Sequence, residues 1–190
     1  MGFGELLAFG VLLLLYHVSE LALVATHTPE HLSQASLLLS PAYLLAMSLA
    51  LAEHAAESAL APAYKARALA ATYAPGLAVS AAGGVLRLAA WATARGAFTH
   101  RIQRSRRPGH VLVRHGVYRW VRHPGYLGWW VWAVGTQLVL GNVAAAVAFA
   151  GVSWEFFRRR IHTEELALVA MFGEEYEAYR RVTPTWMGIP

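Results

Sequence analysis

Residues 126–153 read YLGWWVWAVGTQLVLGNVAAAVAFAGVS and contain no Asp, Glu, Lys, Arg or His over 28 positions. A single membrane-spanning helix needs about 20 residues to cross roughly 30 Å of hydrocarbon. This stretch is longer than one span requires, and Gly135, Gly141 and Asn142 offer a turn in its second half. The stretch therefore predicts two apolar helices joined as a tight hairpin.

Further apolar blocks precede this hairpin, and the whole chain shares their character. Of its 190 residues, 57% are hydrophobic and only 14% are charged, and the mean hydropathy is +0.40. Such a composition is typical of an all-α integral membrane protein. The first block has Glu5 and no Lys or Arg before it, so we expect a retained helix rather than a cleaved signal peptide. We predict five spans, at about residues 3–26, 36–56, 68–94, 125–140 and 143–159.

The arginines indicate how these spans are oriented. Eight lie in residues 95–122 and five in residues 158–181. By the positive-inside rule, the elements at 95–125 and 158–190 face the cytosol, although Lys65 and Arg67 then fall on the opposite side. Without a linker or an internal repeat, residues 1–190 are interpreted as one membrane domain.

Composition also excludes several classes of function. The chain has no cysteine, which rules out disulfides, thiolate metal sites and a cysteine nucleophile. We expect no metal site. The basic residues lack interleaved aromatics or a recognisable nucleic-acid-binding motif, so nucleic acid is not an expected partner. Contacts with membrane lipid headgroups explain such basic loops more simply.

A polar segment leads into the hairpin. Residues 110–126 read HVLVRHGVYRWVRHPGY, with Gln103 shortly before them. Pro124 suits the first turn of a helix, and a His-Pro pair alone would mark no more than a helix start. Three histidines, two tyrosines and two glycines within so short a loop instead indicate a binding site for a polar ligand beside the bilayer.

A second polar segment follows the hairpin and reads WEFFRRRIHTEE over residues 154–165. Arg160 and Glu164 are four positions apart and so share one helical face. A surface ion pair worth a few tenths of a kcal/mol would explain them. The alternative is that this helix folds back over residues 110–126, which would bring both side chains into a binding site.

Together these segments resemble the isoprenylcysteine carboxyl methyltransferase family. The RHPGY core at 122–126 is shared with a wider superfamily that includes phospholipid N-methyltransferases and sterol reductases, so it does not specify a substrate. The other matching motifs are HVLV at 110–113, GVY at 116–118, GW at 128–129, GTQ at 135–137 and WEFFRRRIHTEE at 154–165. The resemblance is narrowed to the one family by the tail FGEEYEAYRRVTPT at 172–185 and by HVSE at 17–20.

The resemblance implies a reaction and its binding residues. The chain would use S-adenosylmethionine to methylate the C-terminal carboxylate of farnesylated or geranylgeranylated cysteine in CaaX-processed proteins such as small GTPases. The expected location is the endoplasmic reticulum membrane. Arg160 would be the catalytic residue that binds the substrate carboxylate. The implied cofactor-binding residues are Gln103, His110, Val111, Leu112, Val113, Tyr118, His123, Pro124, Gly125, Tyr126 and Glu164.

Arg87 is the one charge in the third apolar block, and buried charges at membrane depth are usually functional. We expect it to contribute to substrate binding and to face Glu53, Glu57 or the substrate carboxylate. Two alternatives to carboxyl methylation remain at this point. One is a phospholipid or small-thiol methyltransferase of the same superfamily, and the other is a non-catalytic membrane scaffold.

Overall fold

The computed structural model describes residues 3–27, 29, 32, 39–100, 102–106 and 111–190. The described part of the chain is helical and contains no strand. Short 3-10 turns lie at Arg95–Ala97 and Gly116–Arg119. The α-helices are α1 (Gly4–His27), α2 (Pro41–Leu60), α3 (Pro62–Ala94), α4 (Pro124–Val139), α5 (Val143–Phe172) and α6 (Glu174–Val182).

The predicted helical hairpin is confirmed as α4 and α5. The chain reverses at Gly141, whose φ of +65° lies in the left-handed region that favours glycine. Asn142 follows as the residue that precedes α5. α5 continues as one helix past residue 159, the expected end of the fifth span, to Phe172.

The other predicted helices differ at their boundaries. α2 begins at Pro41 rather than near residue 36, and residues 33–38 lie outside the described part of the chain. α3 begins at Pro62 rather than at 68, because Pro62 is favourable in a first helical turn. By length and composition, Gly4–Thr26 and Pro62–Ala97 are the segments of the described chain that could each cross a membrane. The count of five spans stays a prediction.

Glycines allow α3 and α4 to pack closely. A Cβ atom added at Gly83 would lie 2.6 Å from the carbonyl oxygen of Gly128. One added at Gly128 would lie 2.8 Å from the backbone nitrogen of Arg87. Small residues at a helix interface let the two backbones approach to this distance, as is common within membranes. The close packing brings Arg87 on α3 beside the first turn of α4.

Polar side chains connect two helix turns at one end of the bundle. Lys65 at the start of α3 is only 1% exposed, and its Nζ donates to Glu57 Oε2 (2.8 Å) and to Asn142 Oδ1 (2.7 Å). Asn142 in turn donates to the carbonyl of Ala50 at 2.8 Å. Lys65 is therefore a paired, buried cation that connects the turn between α2 and α3 to the turn between α4 and α5.

The C-terminal tail packs on the opposite end. Phe157 and Ile161 of α5 form a buried cluster with Met187 and Ile189. Trp154 Nε1 donates to the carbonyl of Met187 at 2.8 Å. These contacts hold the second half of α5 and the tail against the segment that leads into α4.

Candidate functional site

One large cavity, of about 1010 Å³, lies between α2, α5, α6 and the segment that joins α3 to α4. Its walls include every predicted site residue that the structure describes. His110 lies outside the described residues. The predicted residues that line the cavity are Arg87, Gln103, Val111, Leu112, Val113, Tyr118, His123, Pro124, Gly125, Tyr126, Arg160 and Glu164.

The cavity has a polar part and an apolar part. The polar part contains the loop before α4 together with Arg160 and Glu164. The apolar part extends between α2 and α5 and is lined by small and hydrophobic side chains. These include Ala46, Leu49, Ala144, Ala148, Val152 and Phe156. A ligand with a charged head and a long hydrocarbon tail matches this division, because each part would be in contact with surroundings of its own polarity.

Arg160 on α5 reaches the polar part of the cavity. Its Nε donates to the hydroxyl of Tyr126 at 2.9 Å, and its Nη2 donates to the carbonyl of His100 at 2.6 Å. The guanidinium carbon lies 5.5 Å from the centroid of the Tyr126 ring. Among the described residues, no carboxylate forms an ion pair with Arg160, so its charge can bind an anionic ligand.

Glu164 lies one helical turn further along α5. Its Oε2 is buried and has no hydrogen-bond partner within the described part of the chain. The Nδ1 atom of His123 lies 3.8 Å from this oxygen. The surface ion pair between Arg160 and Glu164 is not formed here. A buried carboxylate oxygen without a donor is costly unless a ligand supplies one.

Glu165, the next residue, contacts a different set of groups because consecutive residues of a helix point in different directions. It accepts from Arg122 Nε at 2.8 Å and from His123 Nε2 at 3.0 Å. Burial alone would raise the pKa of Glu165, but the hydrogen bond and charge of His123 and the charge of Arg122 lower this pKa to about 2. Glu165 therefore fixes the ring of His123 at the cavity wall.

Neither Glu165 nor Arg122 was among the predicted site residues. Arg122 Nη1 also donates to the carbonyl of Thr183 at 2.6 Å, which attaches the C-terminal tail to the loop before α4. Both residues lie within motifs that the sequence already marked, RHPGY and HTEE. The sequence offered one signal that the two segments meet: the adjacent carboxylates Glu164 and Glu165 could pair with the adjacent Arg122 and His123.

Tyr118 lies in the 3-10 turn before α4, and the hydroxyl of Tyr179 on α6 donates to the Tyr118 carbonyl at 2.6 Å. Burial and the nearby charge of Glu164 raise the pKa of the Tyr118 hydroxyl above its usual range. Tyr118 is therefore neutral at ordinary pH and offers the cavity a hydrogen-bond donor.

The expectation that Arg87 faces Glu53 or Glu57 is wrong. Arg87 pairs with Glu20 of α1, whose two carboxylate oxygens accept from its Nε and its Nη2. Glu53 and Glu57 have other partners, since Glu53 accepts from the backbone of Ala145 and Glu57 pairs with Lys65. Glu20 lies in an apolar helix, as Arg87 does, but Glu5, Glu53 and Glu57 were equally available, so the sequence alone did not single it out.

Comparisons with known proteins agree with the motifs in this cavity. A sequence model of the "Isoprenylcysteine carboxyl methyltransferase (ICMT) family" matches residues 76–170. A "Probable protein-S-isoprenylcysteine O-methyltransferase" of Oryza sativa subsp. indica is 44% identical over 172 residues, which are 90% of this chain and 89% of the rice protein. The "Protein-S-isoprenylcysteine O-methyltransferase" of Dictyostelium discoideum is 37% identical over 191 residues, which cover 100% of this chain and 77% of that protein.

The fold is similar to that of a solved structure. The structure is that of the eukaryotic intramembrane Ras methyltransferase ICMT, to which this chain is 37% identical. The two superpose with a TM-score of 0.90, over 100% of this chain and 68% of the other. The resemblance therefore extends from the motifs to the arrangement of the helices.

Proposed function

This chain belongs to the isoprenylcysteine carboxyl methyltransferase family, and from that membership we infer that it is a protein-S-isoprenylcysteine carboxyl O-methyltransferase. It esterifies the C-terminal carboxylate of a prenylated cysteine with a methyl group, the last carboxyl modification of CaaX-processed proteins. The observation that supports this most directly is the cavity. Its polar part holds Arg160, which has no carboxylate partner among the described residues, and an apolar groove lies beyond it.

We propose S-adenosylmethionine as the methyl donor. When bound, it supplies an electrophilic methyl group on a sulfonium centre. The chain offers groups that suit a nucleoside and a cationic amino acid. Glu164 Oε2 is buried without a donor, and the Tyr118 hydroxyl is neutral. The proposed donor-binding residues are those at 111–113 and 123–126 together with Gln103, Tyr118 and Glu164; His110 is proposed from its place in the HVLV motif alone.

Arg160 is the proposed catalytic residue. A C-terminal carboxylate has a pKa of roughly 3.3 to 3.7 and is ionised at neutral pH, so the reaction requires no general base. Charge-assisted hydrogen bonds from the guanidinium would hold the carboxylate in one orientation. Tyr126 and the carbonyl of His100 restrict the side chain of Arg160 before any ligand binds, which lowers the entropic cost of alignment.

The apolar groove between α2 and α5 is the proposed site of the prenyl chain. Its walls carry Ala46, Ala144 and Ala148 opposite larger side chains such as Leu49 and Phe156. Burial of hydrocarbon contributes roughly 25 cal/mol per Å² removed from water. A farnesyl or geranylgeranyl group would therefore supply much of the binding free energy, while Arg160 determines where the carboxylate lies.

Membership of this family makes the chain an integral membrane enzyme. We propose that the polar part of its cavity opens to the cytosol, which the arginines of residues 95–122 support. Small GTPases and other prenylated proteins would then reach it from the cytosolic leaflet. We propose the endoplasmic reticulum as the membrane in which it works, on family resemblance alone.

The test is an ester assay on the reconstituted protein with radiolabelled S-adenosylmethionine and N-acetyl-S-farnesylcysteine. Base-labile methyl ester should form, and it should fall to background when N-acetylcysteine replaces the farnesylated acceptor. Donor binding without ester would contradict prenylcysteine methylation and point to lipid amines or thiols as acceptors. An absence of donor binding would contradict the assignment of an S-adenosylmethionine site.

A further inference from the structure

α1 does not contribute to the wall of the cavity, since none of its described residues lines it. It nevertheless carries Glu20, a carboxylate that is only 1% exposed in an otherwise apolar helix. A buried carboxylate is costly unless it is paired and hydrogen-bonded. Glu20 is paired and hydrogen-bonded, and its partners Arg87 and His100 connect α1 to the site.

Two chains of hydrogen bonds lead from Glu20 to the cavity. The first passes through Arg87, which bonds both carboxylate oxygens and whose Nη1 donates to the carbonyl of Gly125 at 2.9 Å. The second passes through His100, whose Nε2 lies 2.8 Å from Glu20 Oε2. The carbonyl of the same His100 accepts from Arg160 Nη2 at 2.6 Å.

We propose that Glu20 is a positioning residue for methyl transfer. It fixes the backbone of Gly125 through Arg87 and the guanidinium of Arg160 through His100. The proposal rests on the function proposed above, in which Gly125 contacts the donor and Arg160 the acceptor. One carboxylate outside the cavity thereby sets the relative position of the two reacting ligands.

Packing around these links leaves little room for adjustment. A Cβ atom added at Gly125 would lie 2.8 Å from the ring of Phe98. That ring stacks on Trp91 at a centroid distance of 4.2 Å and lies 5.4 Å from the guanidinium carbon of Arg87. A displacement of Arg87 is therefore transmitted to Gly125 rather than absorbed. Misplacement of a reacting group by about 1 Å can lower a rate about 100-fold.

The experiment compares Glu20→Asp and Glu20→Gln with matched changes at Glu57, whose ion pair with Lys65 does not line the cavity. Aspartate keeps the charge and withdraws the carboxylate by one methylene, while glutamine keeps the length and removes the charge. Three measurements are made on folded, reconstituted protein: the steady-state kinetics (kcat and KM) for N-acetyl-S-farnesylcysteine, the Kd for S-adenosylmethionine, and amide hydrogen exchange in the first turn of α4 without ligand.

We expect Glu20→Asp to lower kcat by about 10- to 100-fold with a smaller change in the acceptor KM, and Glu20→Gln to lower it at least as far. The Kd for S-adenosylmethionine should rise about fivefold or more. Exchange at Tyr126 and Leu127 should accelerate. Glu57→Asp and Glu57→Gln should lower the thermal midpoint and leave the results of all three measurements within about twofold of wild type.

The proposal fails if both Glu20 variants keep kcat, Kd and amide exchange near wild type. It also fails if these quantities change only in proportion to the fall in the thermal midpoint, as a purely structural ion pair would predict. If Glu20→Gln does not fold, Glu20→Asp alone decides. A wild-type protein that binds the donor but makes no prenylcysteine ester would contradict the proposed acceptor, while the Kd and the amide exchange would still test Glu20.

Discussion

Lys65–Glu57 and Arg87–Glu20 are two of the buried ion pairs among the described helices, and they differ in where their other hydrogen bonds lead. Lys65 and Arg87 are 1% and 6% exposed, and each pairs with a carboxylate on a neighbouring helix. Lys65 bonds Glu57 and Asn142, which join one helix turn to another. Arg87 bonds Glu20 and the carbonyl of Gly125 in the cavity wall.

The comparison shows that burial of a charge does not by itself distinguish a functional residue from a structural one. Both pairs avoid the cost of an isolated charge in an apolar medium. The pairs differ in their surroundings, since Glu57, Lys65 and Asn142 do not line the cavity whereas Arg87 does. We therefore expect substitutions of residues that line the cavity to affect activity, and substitutions of Lys65 and Glu57 to affect stability.

Among substitutions of cavity residues, Arg160→Ala should produce the largest loss of turnover. Loss of a charged donor that aligns a reacting group lowers turnover by about 100- to 1000-fold, or about 3–4 kcal/mol. The Kd for S-adenosylmethionine should change little, because Arg160 is assigned to the acceptor. The measurement is methyl-ester formation with N-acetyl-S-farnesylcysteine beside equilibrium binding of the donor.

The matched control is Arg159→Ala, one position earlier on the same helix. The side chain of Arg159 is 77% exposed and pairs with Glu155 on the surface, so turnover should stay close to wild type. Equal losses in Arg159→Ala and Arg160→Ala would show that charge on this helix matters and that contact with the acceptor does not.

Glu164→Gln should weaken donor binding. A hydrogen bond to a charged group contributes about 1.5–3 kcal/mol, so the Kd for S-adenosylmethionine should rise roughly 10- to 100-fold. Turnover at saturating donor should fall less than in Arg160→Ala. Glu155→Gln on the exposed face of α5 is the control. A raised acceptor KM with an unchanged donor Kd would reverse the roles proposed for Glu164 and Arg160.

Lys65→Met should lower the stability of the fold without lowering turnover. Removing one partner of a buried ion pair costs about 3–5 kcal/mol, and we expect the lower end because Glu57 keeps 20% of its side chain exposed. The thermal midpoint should fall while kcat/KM of the folded protein is retained. Adding Glu57→Gln should recover part of the stability. A loss of turnover in protein that remains folded would contradict the assignment of the Lys65–Glu57 pair to stability alone.

Glu165→Gln should have an effect on stability that depends on pH. The pKa of Glu165 is lowered to about 2, so its ionised form stabilises the fold above its unfolded pKa of about 4.3, and that stabilisation is lost as the pH falls towards 2. The variant should be less stable than wild type at pH 7 and should approach wild type as the pH falls. Thermal unfolding across pH measures this; a constant difference at all pH values would contradict the assigned pKa.

The sequence was sufficient to predict the parts of this molecule that depend on local pattern. The charge-free run at 126–153 predicted the α4–α5 hairpin, and the motifs at 103–126 and 154–165 named residues that the structure brings around one cavity. The hairpin follows from hydrophobic pattern, which depends on neighbours along the chain, whereas the individual site residues were implied by the resemblance to a known family.

Contacts between distant segments could not be derived in the same way. The pairing of Arg87 with Glu20 joins residues 67 positions apart, and several carboxylates in apolar helices were equally available to Arg87. The choice depends on how α1 packs against α3. Likewise, the separation of Glu164 from Glu165 depends on the rotation of α5 about its axis, which spacing along one helix does not determine.

The most direct test of this account is a structure of the protein with S-adenosylhomocysteine and N-acetyl-S-farnesylcysteine bound. The account predicts the acceptor carboxylate on the guanidinium of Arg160, the amino-acid or ribose part of the nucleoside on Glu164, and the farnesyl chain between α2 and α5. A carboxylate bound by Arg87 in place of Glu20, or a farnesyl chain outside this groove, would contradict it.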